Sequence, residues 1–252
     1  MSPTAQVISI GGRQARCENC GHIGSCMARD ADNPEASGRH DIPVVPRIVH
    51  RGEHLFRAGE SFENVYVVRS GAVKTYVISS QGDVHVTGFH LPGDLVGADA
   101  IASGQHVCSA EALDTCSICV LPFDRLTALC MRSPTVQLRL LKHLSSTIVR
   151  DEALLLRLGQ RTAEQRLAAF LLEQAERRRV QGYSPYEVNL AMSRADIGSY
   201  LALAVETVSR ILTRLQEHDI ITVQRNRIRI RDLAALEALA EEAPPSRRAA
   251  AH

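Results

Sequence analysis

The stretch Ser193-Arg194-Ala195-Asp196-Ile197-Gly198-Ser199-Tyr200-Leu201, followed by Ala202-Leu203-Ala204 and Val205-Glu206-Thr207-Val208-Ser209-Arg210, decides how the last third of this chain folds. Ser193 is a favourable helix cap, and apolar residues follow it at helical spacing. The run breaks near Ala202–Ala204, and a second helix is predicted to start near Val205. Two short helices joined by a tight turn describe a helix-turn-helix. On the second helix Glu206, Ser209 and Arg210 fall at i, i+3 and i+4, so they share one face. Val208, Ile211, Leu212 and Leu215 offer the other face to a core. An arginine can pair with guanine O6 and N7, and a carboxylate can accept from cytosine N4, so the trio suits the edges of bases in a major groove.

The charge around this pair points the same way. Residues 161–232 hold 12 arginines and no lysine against 9 acidic residues, a net +3, whereas the whole chain is only +1. Further on, Arg229 and Arg231 alternate with Ile228 and Ile230, giving a strand with one basic and one apolar side. Such a strand fits a wing whose arginines touch phosphate, which positions a protein without specifying sequence. A solvated surface hairpin would have the same pattern. Double-stranded DNA is the expected partner.

Upstream of this unit, Leu141, Leu144, Ile148, Asp151, Leu155 and Leu158 are spaced 3, 4, 3, 4, 3. That is a heptad seam, which pairs with another helix or packs on its own domain. Asp151 stands where the pattern calls for an apolar side chain. Across a homodimer it would meet its symmetry mate, and burying unpaired like charges is costly. Ile148, Asp151 and Leu155 therefore read as a dimer switch, with Asp151 keeping association weak. Still earlier, Gly59, Gly71, Gly82, Gly93 and Gly104 are separated by 12, 11, 11 and 11 residues. Short β-rich runs lie between them, at Val65–Val68, Val73–Ile78 and Val84–Phe89. Regular short strands with turn residues argue for an all-β roll or barrel. The change from period two to a helical period is expected after Pro134.

Composition bounds the remaining possibilities. With 252 residues, 45% of them hydrophobic, the chain can build more than one globular domain. No apolar run approaches the ~20 residues of a membrane-spanning helix, and Met1–Ile10 lacks the pattern of a secretory signal. A cytoplasmic location is expected, with no membrane partner. Seven cysteines in a reducing compartment suggest metal ligands or redox groups more than disulfides. Cys17, Cys20 and Cys26 place three thiols within ten residues, with Gly21 and Gly24 between them. Thiolates gathered this closely suit a [4Fe-4S] cluster or zinc. A three-thiol set needs a fourth ligand from elsewhere in the chain. No Ser/His/Asp set, H-E-x-x-H or paired-acid motif is present, so there is no catalytic site to name and an enzyme is not expected.

A roll, a long helix and a C-terminal winged helix-turn-helix, in that order, resemble the CRP/FNR superfamily of bacterial regulators. Thr87-Gly88-Phe89-His90-Leu91, Gly93-Asp94-Leu95-Val96-Gly97, Ala163-Glu164-Gln165-Arg166-Leu167-Ala168-Ala169-Phe170 and Val205–Arg210 look specifically like its FNR branch, over roughly residues 15–235. The resemblance implies an oxygen-responsive regulator that binds, as a homodimer, a TTGAT-N4-ATCAA-like palindrome and activates or represses genes of anaerobic metabolism. It implies that Glu206, Ser209 and Arg210 read each half-site, and that the carboxylate at Asp151 takes part in oxygen control of dimerisation. The Cys17-x2-Cys20-x5-Cys26 spacing recurs in that branch. Its fourth ligand precedes an aliphatic-Pro-Phe sequence, which Cys119-Val120-Leu121-Pro122-Phe123 matches. Cys116 lies an odd number of strand residues away, hence on the opposite face, which makes it the weaker candidate for this ligand and leaves it open as a substitute. Cys108 and Cys130 are expected to be buried thiols.

Cyclic-nucleotide-binding members carry an Arg-Ser or Arg-Thr pair where this chain has Cys108-Ser109-Ala110. Without the arginine an anionic phosphate loses its bidentate partner, so no cyclic nucleotide is expected. RNA polymerase is a partner the resemblance implies, around Gly82 and Thr115. The fold class is thus α+β: a cyclic-nucleotide-binding-like β-roll, a long dimerisation helix and a C-terminal winged helix-turn-helix. The expected units are 1–40 for the cluster-binding segment and linker, and 41–133 for the roll. The dimerisation helix takes 134–160, the DNA-binding domain 161–235, and an unstructured tail 236–252.

Overall fold

The structure is a computed structural model and describes residues 45–241. The roll consists of two four-stranded antiparallel sheets. One has the order β1 (Val45–Val49), β8 (Cys116–Pro122), β3 (Asn64–Ser70) and β6 (Leu95–Val96). The other runs β2 (His54–Phe56), β7 (Ser109–Ala112), β4 (Val73–Ile78) and β5 (Val84–His90). Alternate residues of each strand turn inward, as the two-residue period requires, and Val49, Phe56, Val68, Val73, Cys116 and Ile118 meet between the sheets. Gly71 joins β3 to β4 at φ +85°, and a Cβ there would lie 2.6 Å from Cys116 Sγ, so this turn takes no other residue without movement.

Helical structure begins earlier than the sequence pattern suggests. Helix α1 (Phe123–Arg132) follows β8 directly and buries Leu126 and Leu129, one turn apart, against Val65, Leu95 and Leu121. Two buried leucines are too short a signal to stand out beside the leucine-rich helix that follows, which hid the onset. Helix α2 (Pro134–Gln160) has 27 residues; Ser133 caps it by accepting from the Val136 amide, and Pro134 occupies its first turn, where no amide hydrogen is needed. Helix α3 (Ala163–Val180) opens with a capping box between Thr162 and Gln165.

The C-terminal unit is built on α3. Helices α4 (Arg194–Leu201) and α5 (Val205–Glu217) pack over a three-stranded sheet ordered β10 (Ile221–Gln224), β11 (Arg227–Ile230) and β9 (Glu187–Asn189). Phe170, Leu171, Ile197, Leu201, Leu215 and Ile221 form its fully buried centre. A tail expected to lack structure from residue 236 begins instead as helix α6 (Leu233–Glu241), whose Leu236 and Ala240 are buried. Those two residues lie one helical turn apart and close the open side of α3, so the segment folds because it has a face to bury. The roll and this unit share one continuous apolar cluster, in which Val86 and Phe89 of β5 join Phe170 and Leu201.

Candidate functional site

Helix α4 starts with a second capping box, between Ser193 and Asp196. It ends at Ala202, whose φ of 52° is left-handed, and the Leu203 amide donates back to the Gly198 carbonyl at 2.8 Å. A Cβ on Gly198 would lie 2.6 Å from that Leu203 carbonyl oxygen, so the tight approach of the two helices depends on glycine here. On α5, Val208, Ile211, Leu212 and Leu215 are buried, while Glu206 and Arg210 are exposed. Ser209 is half-buried between them and accepts a hydrogen bond from Arg194 Nη1 at 3.2 Å. In the wing Ile228 and Ile230 are buried, and Arg225, Arg227 and Arg229 are exposed. Arg225 has a positive φ of 56° at the hairpin tip. The three expected base readers and the basic wing thus lie on one protein unit, with Glu206, Arg210 and the wing arginines open to solvent and Ser209 half-buried between them.

Cys119 lies on β8 with its side chain half-buried, opposite Pro46 of β1 and Val67 of β3. Strand β1 is the first described element, so the chain reaches the roll alongside Cys119. Cys17, Cys20 and Cys26 lie outside the described residues. Cys116 is fully buried in the roll and donates from Sγ to the carbonyls of Ala72 and Asp114, both at 3.2 Å. Burial pushes its thiol pKa upward, away from the thiolate a metal requires. Cys108 is buried, whereas Cys130, expected to be buried, is only partly so because α1 turns it toward the edge of its cluster.

Helix α2 presents Leu141, Ile148 and Leu155 as exposed apolar residues, 55%, 58% and 69% accessible, and Leu138, Val149 and Leu156 beside them are exposed too, an apolar surface larger than scattered single residues would give. Leu144 and Leu158, the alternate seam positions, are half-buried against their own chain, so both readings of the heptad hold for different residues. Asp151 sits within the exposed stripe. Burial raises its carboxyl pKa, with Arg150 opposing.

Known proteins share this order of domains. The Crp-like helix-turn-helix domain profile matches residues 165–239, and the cyclic nucleotide-binding domain profile matches 46–133. The chain is 40% identical to the transcriptional activator protein Anr of Pseudomonas protegens, over 90% of this chain and 93% of the relative. It is 39% identical to the fumarate and nitrate reduction regulatory protein of Escherichia coli K12, over 92% and 93%. This chain belongs to the CRP/FNR family of transcription regulators. It is a DNA-binding regulator, and its relatives are regulators, not enzymes. The structure of FixK2 from Bradyrhizobium japonicum superposes with a TM-score of 0.72 at 32% identity, covering 80% of this chain and 99% of that one. No helix among the described residues is long and apolar enough to cross a membrane.

In this CRP/FNR member a partly open pocket of about 510 Å³ lies between the roll strands, α2, α3 and Tyr200 of α4. Cys108, at the start of the Cys108-Ser109-Ala110 stretch, lines this pocket. Burial, with Asp99 beside it, pushes the Cys108 pKa to about 12, and its Sγ lies 3.4 Å from Asp99 Oδ2. A phosphate in this corner would meet a carboxylate and a neutral thiol. The arginines lining the cavity, Arg150 and Arg177, both pair with Asp94. Burial alone would raise the Asp94 carboxyl, but Arg177 and His90 hold it below the usual range. This network joins the turn after β5, helix α2 and helix α3 at one point. Sequence reasoning placed none of it, because its members are far apart in the chain.

Proposed function

We propose that this regulator senses oxygen through a [4Fe-4S] cluster held by Cys17, Cys20, Cys26 and Cys119, and that the cluster controls dimerisation. The observation that carries the proposal is the placement of Cys119. Its side chain is half-buried beside the strand by which the N-terminal segment enters the roll, whereas the rival Cys116 is buried and hydrogen-bonded to two carbonyls. Four thiolates suit this group, and the names of the relatives, which concern fumarate and nitrate reduction, fit anaerobic control. When bound, the cluster supplies a redox centre that oxygen can oxidise.

The chain's own residues do the rest. The thiolates of Cys17, Cys20 and Cys26 would tether the N-terminal segment to β8. Strand β8 leads through α1 and Ser133 into α2, so a tether at Cys119 acts on the strand that feeds, 15 positions later, the helix that carries the seam. On α2, Leu141, Ile148 and Leu155 gain free energy when a second copy covers them, roughly 25 cal/mol per Å² of apolar surface. Asp151 opposes that gain, because two carboxylates approach in a poorly solvated seam. Paired heads then place Glu206, Ser209 and Arg210 on successive half-sites of a palindrome of the TTGAT-N4-ATCAA type, with the wing arginines on phosphate. Cyclic nucleotide is not a ligand in this scheme, since Asp99 and Cys108 occupy the phosphate corner. The exposed turns at Gly82 and Thr115 are where RNA polymerase would meet a regulator of this family.

Iron and acid-labile sulfide in anaerobically purified protein test the ligand set. Cys119→Ser should lose most of both, and Cys116→Ser should keep them. The opposite pattern would move the fourth ligand to Cys116, and zinc without sulfide would favour a thiol-based regulator on the same fold.

Asp151 supplies a second, independent test. Its pKa is already raised in the single chain, and further burial in the dimer raises it more. Association therefore takes up protons, so the penalty is present well above the ordinary carboxylate pKa of ~4 and lifts as pH falls toward it. Cluster-free protein should dimerise more strongly as pH falls from about 7 to about 5. Asp151→Ala should dimerise about tenfold or more better at neutral pH, and lose that slope. An unchanged monomer–dimer equilibrium in sedimentation would remove Asp151 from the switch.

A further inference from the structure

We infer that the open edge of β5 is a seat that sets the angle of the DNA-reading head, with Ser199 and Lys74 as its positioning residues. Strand β5 ends its sheet, so its outer amides and carbonyls have no strand partner. The C-terminal unit supplies one. Ser199 Oγ accepts from the Val86 amide at 2.9 Å and donates to the Val84 carbonyl at 2.9 Å, so a single hydroxyl on α4 stands in for a neighbouring strand. Further along β5 Arg177 Nη1 donates to the Phe89 carbonyl at 2.9 Å, and just past the strand Gln181 Nε2 donates to the Pro92 carbonyl at 2.9 Å. Lys74 Nζ donates to Asp196 Oδ1 at 2.9 Å, tying strand β4 to the capping box that starts α4. Asp196 uses its other oxygen for the Ser193 amide and hydroxyl. The rings of Phe89, Phe170 and Tyr200 pack beneath, with centroids 5.1 to 6.0 Å apart.

This seat is built on the helix that precedes the reading helix, and it leaves Glu206 and Arg210 exposed. It therefore does not block DNA. What it fixes is the direction in which α5 leaves the roll. In a dimer two such heads must reach major grooves one helical turn, about 34 Å, apart. A rigid seat makes the second half-site contact effectively intramolecular at one spacing only, whereas a loose one spreads it over several. The inference rests on the dimeric reading above, and on two residues that lie outside both the expected base readers and the α2 seam.

The test uses full-length protein prepared without oxygen. Binding is measured to the palindrome, to the same palindrome with its spacer lengthened or shortened by one base pair, and to a single half-site. The unaltered chain should prefer one spacing steeply. Ser199→Ala and Lys74→Ala should lose about tenfold on the preferred spacing, keep half-site binding within about twofold, and flatten the spacing profile. Ser199→Thr, which keeps the hydroxyl, should restore the profile. Far-ultraviolet circular dichroism matching the unaltered chain sets aside misfolding. Variants with an unchanged spacing profile, with equal losses on palindrome and half-site, or with tighter palindrome binding would each overturn the seat. An unaltered chain that does not prefer the palindrome over a half-site would overturn the dimeric reading, and the inference with it.

Discussion

Cys20→Ser protein, purified without oxygen, is expected to run as a monomer and to bind the palindrome about a hundredfold or more weaker than the unaltered chain. The size follows from linkage. Two heads on one dimer make the second half-site contact intramolecular, which can be worth a factor of ~10² to 10⁴ without any new contact. Cys20 touches neither DNA nor the α2 seam in this scheme, so only coupling through the tether can produce the loss. Half-site binding should barely change, because Glu206, Ser209 and Arg210 are untouched. A tight, DNA-bound dimer of this variant would separate the thiols from the switch. Sedimentation and fluorescence anisotropy on the same samples distinguish the outcomes.

Arg210→Ala is expected to abolish discrimination at one base pair of each half-site. A good bidentate arginine contact is worth ~1–3 kcal/mol against the wrong base. With two half-sites engaged, affinity for the palindrome should fall by roughly 30- to 10⁴-fold. Binding to scrambled duplex should fall far less, since Arg225, Arg227 and Arg229 of the exposed wing remain for phosphate. Measuring both duplexes at one fixed salt concentration is essential, because the phosphate contribution moves steeply with salt. Equal losses on specific and scrambled DNA would make Arg210 a backbone contact instead.

Local signals in the sequence carried far. The helix-turn-helix was legible because Ser193 caps, the break falls at Ala202, and four apolar residues of α5 share a face. Strands β3, β4 and β5 follow the glycine spacing closely. Strand parity separates Cys116 from Cys119, and the structure shows one buried and the other half-buried. What was not legible is mostly long-range. Ser199 reaches β5 across 113 residues, and Arg177 reaches Asp94 across 83. No local pattern encodes such partners, since either side chain would be equally at home facing water. Helices α1 and α6 were missed for a different reason. Each is short, and each buries only two residues deeply, so its period hardly rises above its surroundings. In α6 the signal was nevertheless present, as Leu233, Leu236 and Ala240 lie on one helical face beside strong helix formers.

The physical core of the account is a marginal seam. In the proposed switch, exposed Leu141, Ile148 and Leu155 would pull two chains together and Asp151 would pull them apart, so that a modest bias from the N-terminal tether would decide the outcome. Sizing of one anaerobic sample, with its iron content and visible absorbance recorded before and after air, tests this most directly. The account predicts a dimer with about four irons per chain and a broad visible band before air, and a monomer with the band lost after it. A protein whose oligomeric state does not follow its iron through that exposure would contradict it.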